Sequence, residues 1–448
     1  MRNLYFSMID DILYLGLFFV IAVLLKRFIP QLRRFVIPNS IIAGFVGFLL
    51  GPNVLNLIKL DFDTLGKMIY HMMAIGFISL ALRDINRNTK ADAFNSGFII
   101  VTTYLFQGFM GFLMMLIWAS FDSKVSPLIG IILPLGYGQG PGQAYSIGSQ
   151  WEKLGLLNGG AIGLAIAATG FGWAAIGGIV ILNFLIKKTL SSEDLKNTII
   201  RKKVMEVKDY EFSDMDGMTI QISIIAIIYA FTFLFLKFLE FVLDPFGNIG
   251  HTVSTVLWGF HFVFGAVIAM LFKNTYRRLQ SKGIAKENYL NNFLLQRIGG
   301  GIFDFMVAAS ISAVAFQRIK GVFWPLFFLT MAGGVLTYLY ISFIVSRTFS
   351  KYKEENKIAF YGMLTGTIST GMALLRELDP GLEKGVAENL VFGSGFSIFI
   401  GLPLIFILNI PAMYLTTKDS IYYFLTIFGM FLYGVFAYFV WYKRRAKR

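Results

Sequence analysis

Long apolar runs recur along the whole chain, and two stretches that no regular lipid-facing helix would choose interrupt them. The runs cover roughly 12–29, 36–56, 67–82, 94–121, 159–186, 219–243, 253–272, 298–317, 322–346, 385–411 and 421–442. About 20 residues of that character are needed to cross the hydrocarbon core of a bilayer as a helix. The first interruption is LPLGYGQGPGQAYSIGSQWEKLG, Leu133 to Gly155, where Gly136, Gly138, Gly140 and Gly142 alternate with Tyr137, Gln139, Pro141 and Gln143. The second is MLTGTISTGMALLRELDP, Met363 to Pro380. Glycine and proline weaken the helical backbone. At membrane depth, irregular backbone is tolerated only where it is buried in protein or lines a wet cavity. A pair of such interruptions, one in each half of the chain, is the sequence mark of a transporter's binding site.

Composition agrees with this class. Of 448 residues, 56% are hydrophobic and 15% charged, against about 25% charged in a soluble domain. The expected fold class is therefore an all-α integral membrane protein. The runs lack period-2 alternation, which excludes an outer-membrane barrel. With no cysteine there is no disulfide, thiolate metal site or cysteine nucleophile. His71, His251 and His261 are too scattered to suggest a metal cluster. The net charge of +14 is assigned to basic cytoplasmic loops rather than to nucleic-acid binding. Asp10 and Asp11 precede the first run and Lys26 and Arg27 follow it, which reads as a retained first helix and not a cleavable signal.

The basic residues fix an orientation. Each interruption is taken as a re-entrant hairpin, 128–155 and 357–384, that leaves on the side it entered. Alternating the eleven remaining spans from an outside N-terminus then puts thirty Lys and Arg on the cytoplasmic side and nine outside. Arg376, on the second hairpin, completes the forty. Counting either hairpin as a single crossing flips every later loop and destroys the asymmetry that the positive-inside rule requires. The expected organisation is a first repeat at 1–188, a cytoplasmic linker at 189–218 and a second repeat of opposite direction at 219–412. An extra helix and a basic cytoplasmic tail, KRRAKR, follow at 413–448. The location is a plasma membrane of the bacterial inner-membrane type.

Broken helices expose N–H and C=O groups that an intact helix satisfies internally. The N–H groups and the positive helix end suit a carboxylate, and exposed carbonyls and hydroxyls suit Na⁺. The first tip offers Gly138, Gln139, Gly140, Gly142 and Gln143 as substrate-binding candidates. The second offers Thr365, Thr367, Ser369 and Thr370 beside Gly371, with Thr365 and Ser369 as candidate Na⁺ ligands. Small residues also permit tight helix packing, and that alternative stands for either motif alone. Asp304, inside the 298–317 run, is a candidate for cation binding or proton relay, because ionisable residues in spans are functional candidates by default. Arg376 is a candidate partner for a substrate carboxylate, and Asn389 a candidate polar contact.

At these residues the chain resembles the glutamate:sodium symporter (ESS) family. The likeness runs through RRFVIPNSIIAGFVGFLLGP (33–52), MAIGFISLALRDI (73–85) and the two hairpins with their polar arms, GQGPGQAYSIGSQWEKLG and GTISTGMALLRELDPGLEKG. It implies two inverted repeats with re-entrant loops and Na⁺-coupled import of a small anionic or zwitterionic solute, a carboxylate or amino acid of the glutamate kind. A homodimer and an elevator-like motion follow from the same resemblance. Both tips depart from the family pattern: GYGQGPGQA has no histidine, and GTISTGMALL lacks a proline and an asparagine. H⁺ coupling through Asp304 and a different organic anion stay open beside Na⁺ and glutamate. No GxxxxGK[ST] occurs, so nothing suggests a nucleotide-driven pump; an intramembrane enzyme is a weaker alternative because no catalytic dyad stands at membrane depth, and a channel because inverted repeats with opposed hairpins argue for alternating access.

Overall fold

The computed structural model describes residues 2–29, 37–83, 90–189, 214–284, 289–379 and 384–445. All of its regular elements are helical. Eight helices among the described residues are long and apolar enough to cross a membrane, and a ninth is made by Gly250–Gly259 with His261–Ser281, bent by 67°. This is the architecture of a multi-pass membrane protein. Most of the expected 189–218 linker, and the end of the basic tail, lie outside the described residues.

The first half holds α1 (Arg2–Phe28), α2 (Asn39–Leu50), α3 (Phe62–Leu82) and α4 (Lys90–Phe121). Next come α5 (Leu128–Pro134), extended by a π turn at Leu135–Gln139, and α6 (Pro141–Lys153). Then α7 (Gly159–Gly172) runs through a π turn at Trp173–Gly177 into α8 (Gly178–Thr189). The second half holds α9 (Asp214–Leu243), α10 (Gly247–Gly259), α11 (His261–Ser281), α12 (Asn292–Ser312) and α13 (Phe323–Thr348). It closes with α14 (Lys353–Thr365), α15 (Ile368–Leu378), α16 (Val386–Asn409) and α17 (Ile421–Arg445).

Local chemistry sets several of these ends. The Asp61 carboxylate accepts from the N–H groups of Asp63 and Thr64 and starts α3; Asn291 does the same for α12 through Phe293 and Leu294. Gly51 and Pro52 stop α2 after 12 residues. That is about 18 Å of helix, short of the roughly 30 Å core, so this segment of the expected 36–56 span does not cross as one straight helix.

Two polar clusters mark opposite ends of the bundle. At one, Arg318 holds Asp63 through Nη1–Oδ1 at 2.6 Å and Nη2–Oδ2 at 3.0 Å, and Asn158 Nδ2 donates to the Arg318 carbonyl. At the other, Lys273 Nζ donates to the carbonyls of Ala81 and Arg83, and Arg83 Nη2 donates to Gln296. The Arg318–Asp63 pair is well exposed on both sides. Exposed pairs contribute little, so Arg318→Ala should lower the melting temperature in detergent by no more than about 1 kcal/mol of stability allows. A large loss would mean that this end is held by the ion pair rather than by packing.

Between these ends the helices pair in register. The helix α3 runs antiparallel to α12, with Gly76 against Phe303 and Arg83 against Gln296, and parallel to α11, with Phe77 against Phe262 and Lys273 at Ala81. The helix α2 lies parallel to α12, with Gly44 against Ala308 and Ile311 and Asn53 bonded to the Val314 carbonyl. The helix α4 runs antiparallel to α13, through Trp118–Phe328 and Gln107–Thr337, and parallel to α16, through Gly97–Gly393 and Gly108–Leu408. Finally, α7 lies parallel to α13: Asn158 bonds Arg318 before that helix begins and Trp173 bonds Thr330 within it.

Candidate functional site

Both glycine-rich interruptions are helical hairpins, and they enter the bundle from opposite ends. The first consists of α5 and α6. Going inward, Gly130 lies against Gly111, Pro134 beside Gly108, and the Gly138 carbonyl accepts from Tyr104 Oη at 3.0 Å. Coming back, Gly142 lies against Met73 and Met306, Tyr145 against Gly66, and Glu152 accepts from the Gly160 N–H beside the Arg318 cluster. The arms approach each other near the tip and diverge beyond it.

The second hairpin, α14 and α15, enters from the Lys273 end. Gly362 and Gly371 meet backbone to backbone, so a side chain on either would overlap the facing arm. Its base is tied by Lys384 Nζ to Glu355 Oε1 at 2.5 Å and by the Lys384 N–H to Asp379. Ile358 packs with Leu182 and Leu185, far along the α7–α8 span from Asn158.

The two tips meet. Gln107 of α4 donates its amide to Thr337 Oγ1 at 3.0 Å and to the Leu364 carbonyl of the second tip at 2.9 Å. Its Oε1, left over, faces Gly138 of the first tip: a methyl group there would stand 3.2 Å from it. On α7, Gly170 lies between the Tyr137 ring and the Thr365 carbonyl, so a bare backbone lets both tips close on it. Tyr137 Oη and Trp173 Nε1 both donate to the Thr330 carbonyl and fix the surrounding wall.

The tips differ in how their helix starts are satisfied. Thr367 and Thr370 form a reciprocal capping box on α15, and Thr370 Oγ1 also reaches the Gly362 carbonyl at 2.6 Å. Thr365 Oγ1 donates to Tyr361 O. The hydroxyl hydrogens of Thr365 and Thr370 are thus committed within their own hairpin. By contrast α6 begins at Gly140 with no side-chain cap. Pro141 brings no N–H, which leaves those of Gly142 and Gln143 to meet a ligand at the positive helix end. Beside Gly140 no heavy atom stands where a side chain would begin. Three buried amide oxygens nearby, Gln107 Oε1, Gln139 Oε1 and Gln143 Oε1, have no hydrogen-bond partner. Buried acceptors are almost always paired, so three orphaned oxygens on residues around one tip could serve as ligands to a cation or as acceptors from a solute's ammonium group.

The structure thus brings together Gly138, Gln139, Gly140, Gly142 and Gln143, and sets Thr365 close by across Gly170. Thr367 is half-buried and Ser369 exposed at the second tip, while Gly371 serves the packing of its arms. Three candidates stand elsewhere. Arg376 is exposed in the last turn of α15, Asn389 is half-buried in the first turn of α16, and Asp304 lies beside Ser40 at the start of α2. Among the described residues no group of His, Cys, Asp and Glu is placed to hold a metal ion. Gln107, Tyr104 and Thr337 join the site without having been singled out from sequence; the one available signal was an amide inside the apolar 94–121 run.

Two substitutions separate capping from ligation. Thr370→Ala should destabilise the second hairpin by about 1–2 kcal/mol, the usual loss for a helix cap, read as a lower melting temperature. Ser369→Ala, which removes an exposed hydroxyl, should leave melting unchanged and alter only Na⁺ or solute dependence. Equal melting losses in both would show that Ser369 is structural.

Comparison of the chain with protein-family models, curated proteins and solved structures finds no match.

Proposed function

We propose that the chain is a secondary active transporter, a sodium-coupled symporter of a small carboxylate or amino acid that works by alternating access. One observation carries the reading: hairpins from opposite ends of the bundle meet at Gln107, one of them with an uncapped helix start and orphaned carbonyl oxygens. The helix pairings support the inverted repeat behind it. Exchanging α2 with α11, α3 with α12, α4 with α13 and α7 with α16 returns α3–α12 and α4–α13 to themselves and turns α3–α11 into α12–α2 and α4–α16 into α13–α7, each of the same polarity. Mates that run antiparallel to each other, as α3 with α12 and α4 with α13, favour a two-fold axis lying in the membrane plane. On this reading there are eleven spans, the Lys273 end is cytoplasmic, and the chain is a divergent relative of the ESS family acting as a homodimer in a bacterial inner membrane.

The chemistry follows from the tip. A carboxylate takes the N–H groups of Gly142 and Gln143 at the positive end of α6, where anions are stabilised. Na⁺ takes the orphaned oxygens of Gln107, Gln139 and Gln143. Either ion alone would bury an uncompensated charge, which is costly in a low-dielectric interior, whereas the pair nearly cancels. Cotransport is the consequence. Each tip closes the site toward its own end, so displacing one tip opens the site to one side only.

The test is uptake into proteoliposomes under an imposed Na⁺ gradient, with labelled L-glutamate first among a set of amino acids and dicarboxylates. Accumulation that collapses when the gradient is dissipated supports symport. Uptake indifferent to both Na⁺ and pH gradients rules out secondary coupling.

A further inference from the structure

A cavity of about 490 Å³ opens toward the Arg318 end between α9, α10, α3 and α6. Its floor is a stack of Tyr70 on His261, ring centroids 3.7 Å apart and 9° from parallel. Tyr70 Oη donates to the Trp258 carbonyl, and His261 Nε2 donates to the Tyr70 carbonyl at 2.8 Å. The other ring nitrogen of His261, Nδ1, lies 3.5 Å from Ser146 Oγ. Ser146 donates to the Gly259 carbonyl, which the 67° bend between α10 and α11 presents to α6.

From this floor a polar column leads to the first hairpin tip. Gln150 lines the cavity, and Ser146 and Gln143 follow it at helical spacing along one face of α6. Gln150 is 6% exposed and Gln143 4%, and the amide oxygen of each lacks a partner. The neighbouring face of the same helix, through Ala144 and Gly148, does the packing, against Gly163 and Gly159 of α7. Two buried amides with unpartnered oxygens, beside a serine on the face turned to Gly259 of α10, are an expensive arrangement for a purely structural helix. A polar route accounts for them. At the rim stand two cations, Lys153 and Lys237, and two carboxylates, Glu240 and Asp244, with Lys237 and Glu240 paired at 3.2 Å. A rim whose fixed charges cancel gives no net attraction to a dianion but offers both signs to a molecule that carries both.

Building on the transporter reading, we propose that this cavity is the vestibule through which a small zwitterionic solute reaches Gln143 and the first tip, with the Tyr70–His261 stack as its floor.

The chain contains no cysteine, so single cysteines can be followed without background. Gln150→Cys, Ser146→Cys, Gln143→Cys and Ala144→Cys, purified and reconstituted, are treated with a membrane-impermeant, water-soluble methanethiosulfonate, and modification is read as a mass shift. Rates should fall from Gln150 through Ser146 to Gln143, and each should exceed that of Ala144→Cys by about tenfold or more. Modification of Gln150→Cys should slow when a pool of the standard amino acids without cysteine, whose thiol would consume the reagent, is present with NaCl, and not with a pool of acetate, succinate, malate and citrate. Ser146 and Gln143 variants as slow as Ala144→Cys would overturn the route. Protection by the carboxylate pool instead, or by neither pool, would overturn the zwitterion vestibule. Labelling needs no gradient, so absent uptake with the graded labelling retained would sink symport alone.

Discussion

Gln107→Leu is expected to weaken the apparent affinity of Na⁺-driven uptake severely while the protein still inserts and purifies. Leucine keeps much of the volume but removes the amide that donates to Thr337 and Leu364 and the oxygen that faces Gly138. Leaving a buried acceptor without its donor costs about 1–3 kcal/mol, and the two tips lose the side chain that bridges them. If 2–3 kcal/mol of that falls on the ligand-bound state, apparent affinity drops by roughly 30- to 150-fold. The measurement is Na⁺-dependent uptake together with the melting temperature of the purified variant. Near-normal uptake with Na⁺ dependence intact would remove Gln107 from the site.

The second large effect is expected at Gly140. Its φ of 97° and ψ of 176° lie in a region that is essentially reserved for glycine, where another residue costs on the order of 1–3 kcal/mol. Space is not the obstacle, because no heavy atom lies within 4 Å of the position a side chain would take. Gly140→Ala therefore tests backbone conformation alone, and it should distort the start of α6 and the Gly142 and Gln143 N–H groups with it. Gly138→Ala tests the opposite case: its methyl would overlap the Tyr104 ring. Weakened solute binding in Gly140→Ala, with a modest melting loss, is the expected result. If Gly140→Ala behaves like wild type, the uncapped helix start does not hold the ligand.

How far the sequence reached depended on what each residue had to satisfy. The interruptions were legible because Gly140 and Pro141 are poor choices inside a spanning helix, and the lysines and arginines gave each hairpin an end to enter from. The pairing of the tips was not legible. It rests on Gln107, one amide in an apolar run, whose importance comes from two partners more than two hundred residues away. The hydroxyl cluster from Thr365 to Thr370 read as a ligand set, but the reciprocal bonds of Thr367 and Thr370 are local and cap the helix they belong to. Sequence spacing cannot tell a threonine that caps from one that ligates, since both favour a helix start. Asp304 is polar at depth in either reading; only the fold places it against Ser40 rather than at the tips. The span expected at 36–56 shows a different limit, because apolar composition continued past the point where Gly51 and Pro52 end the helix.

A site shared between the two tips requires the hairpins to enter from opposite faces of the membrane. Lys153 lies at the base of the first and Lys384 at the base of the second, and the chain has no cysteine of its own. Single variants Lys153→Cys and Lys384→Cys, labelled with an impermeant maleimide in intact cells and in inverted membrane vesicles, give the most direct reading. Opposed hairpins require Lys153→Cys to label from outside the cell and Lys384→Cys only in the inverted vesicles. Labelling of both positions from the same side would contradict the opposed hairpins and the shared site built on them.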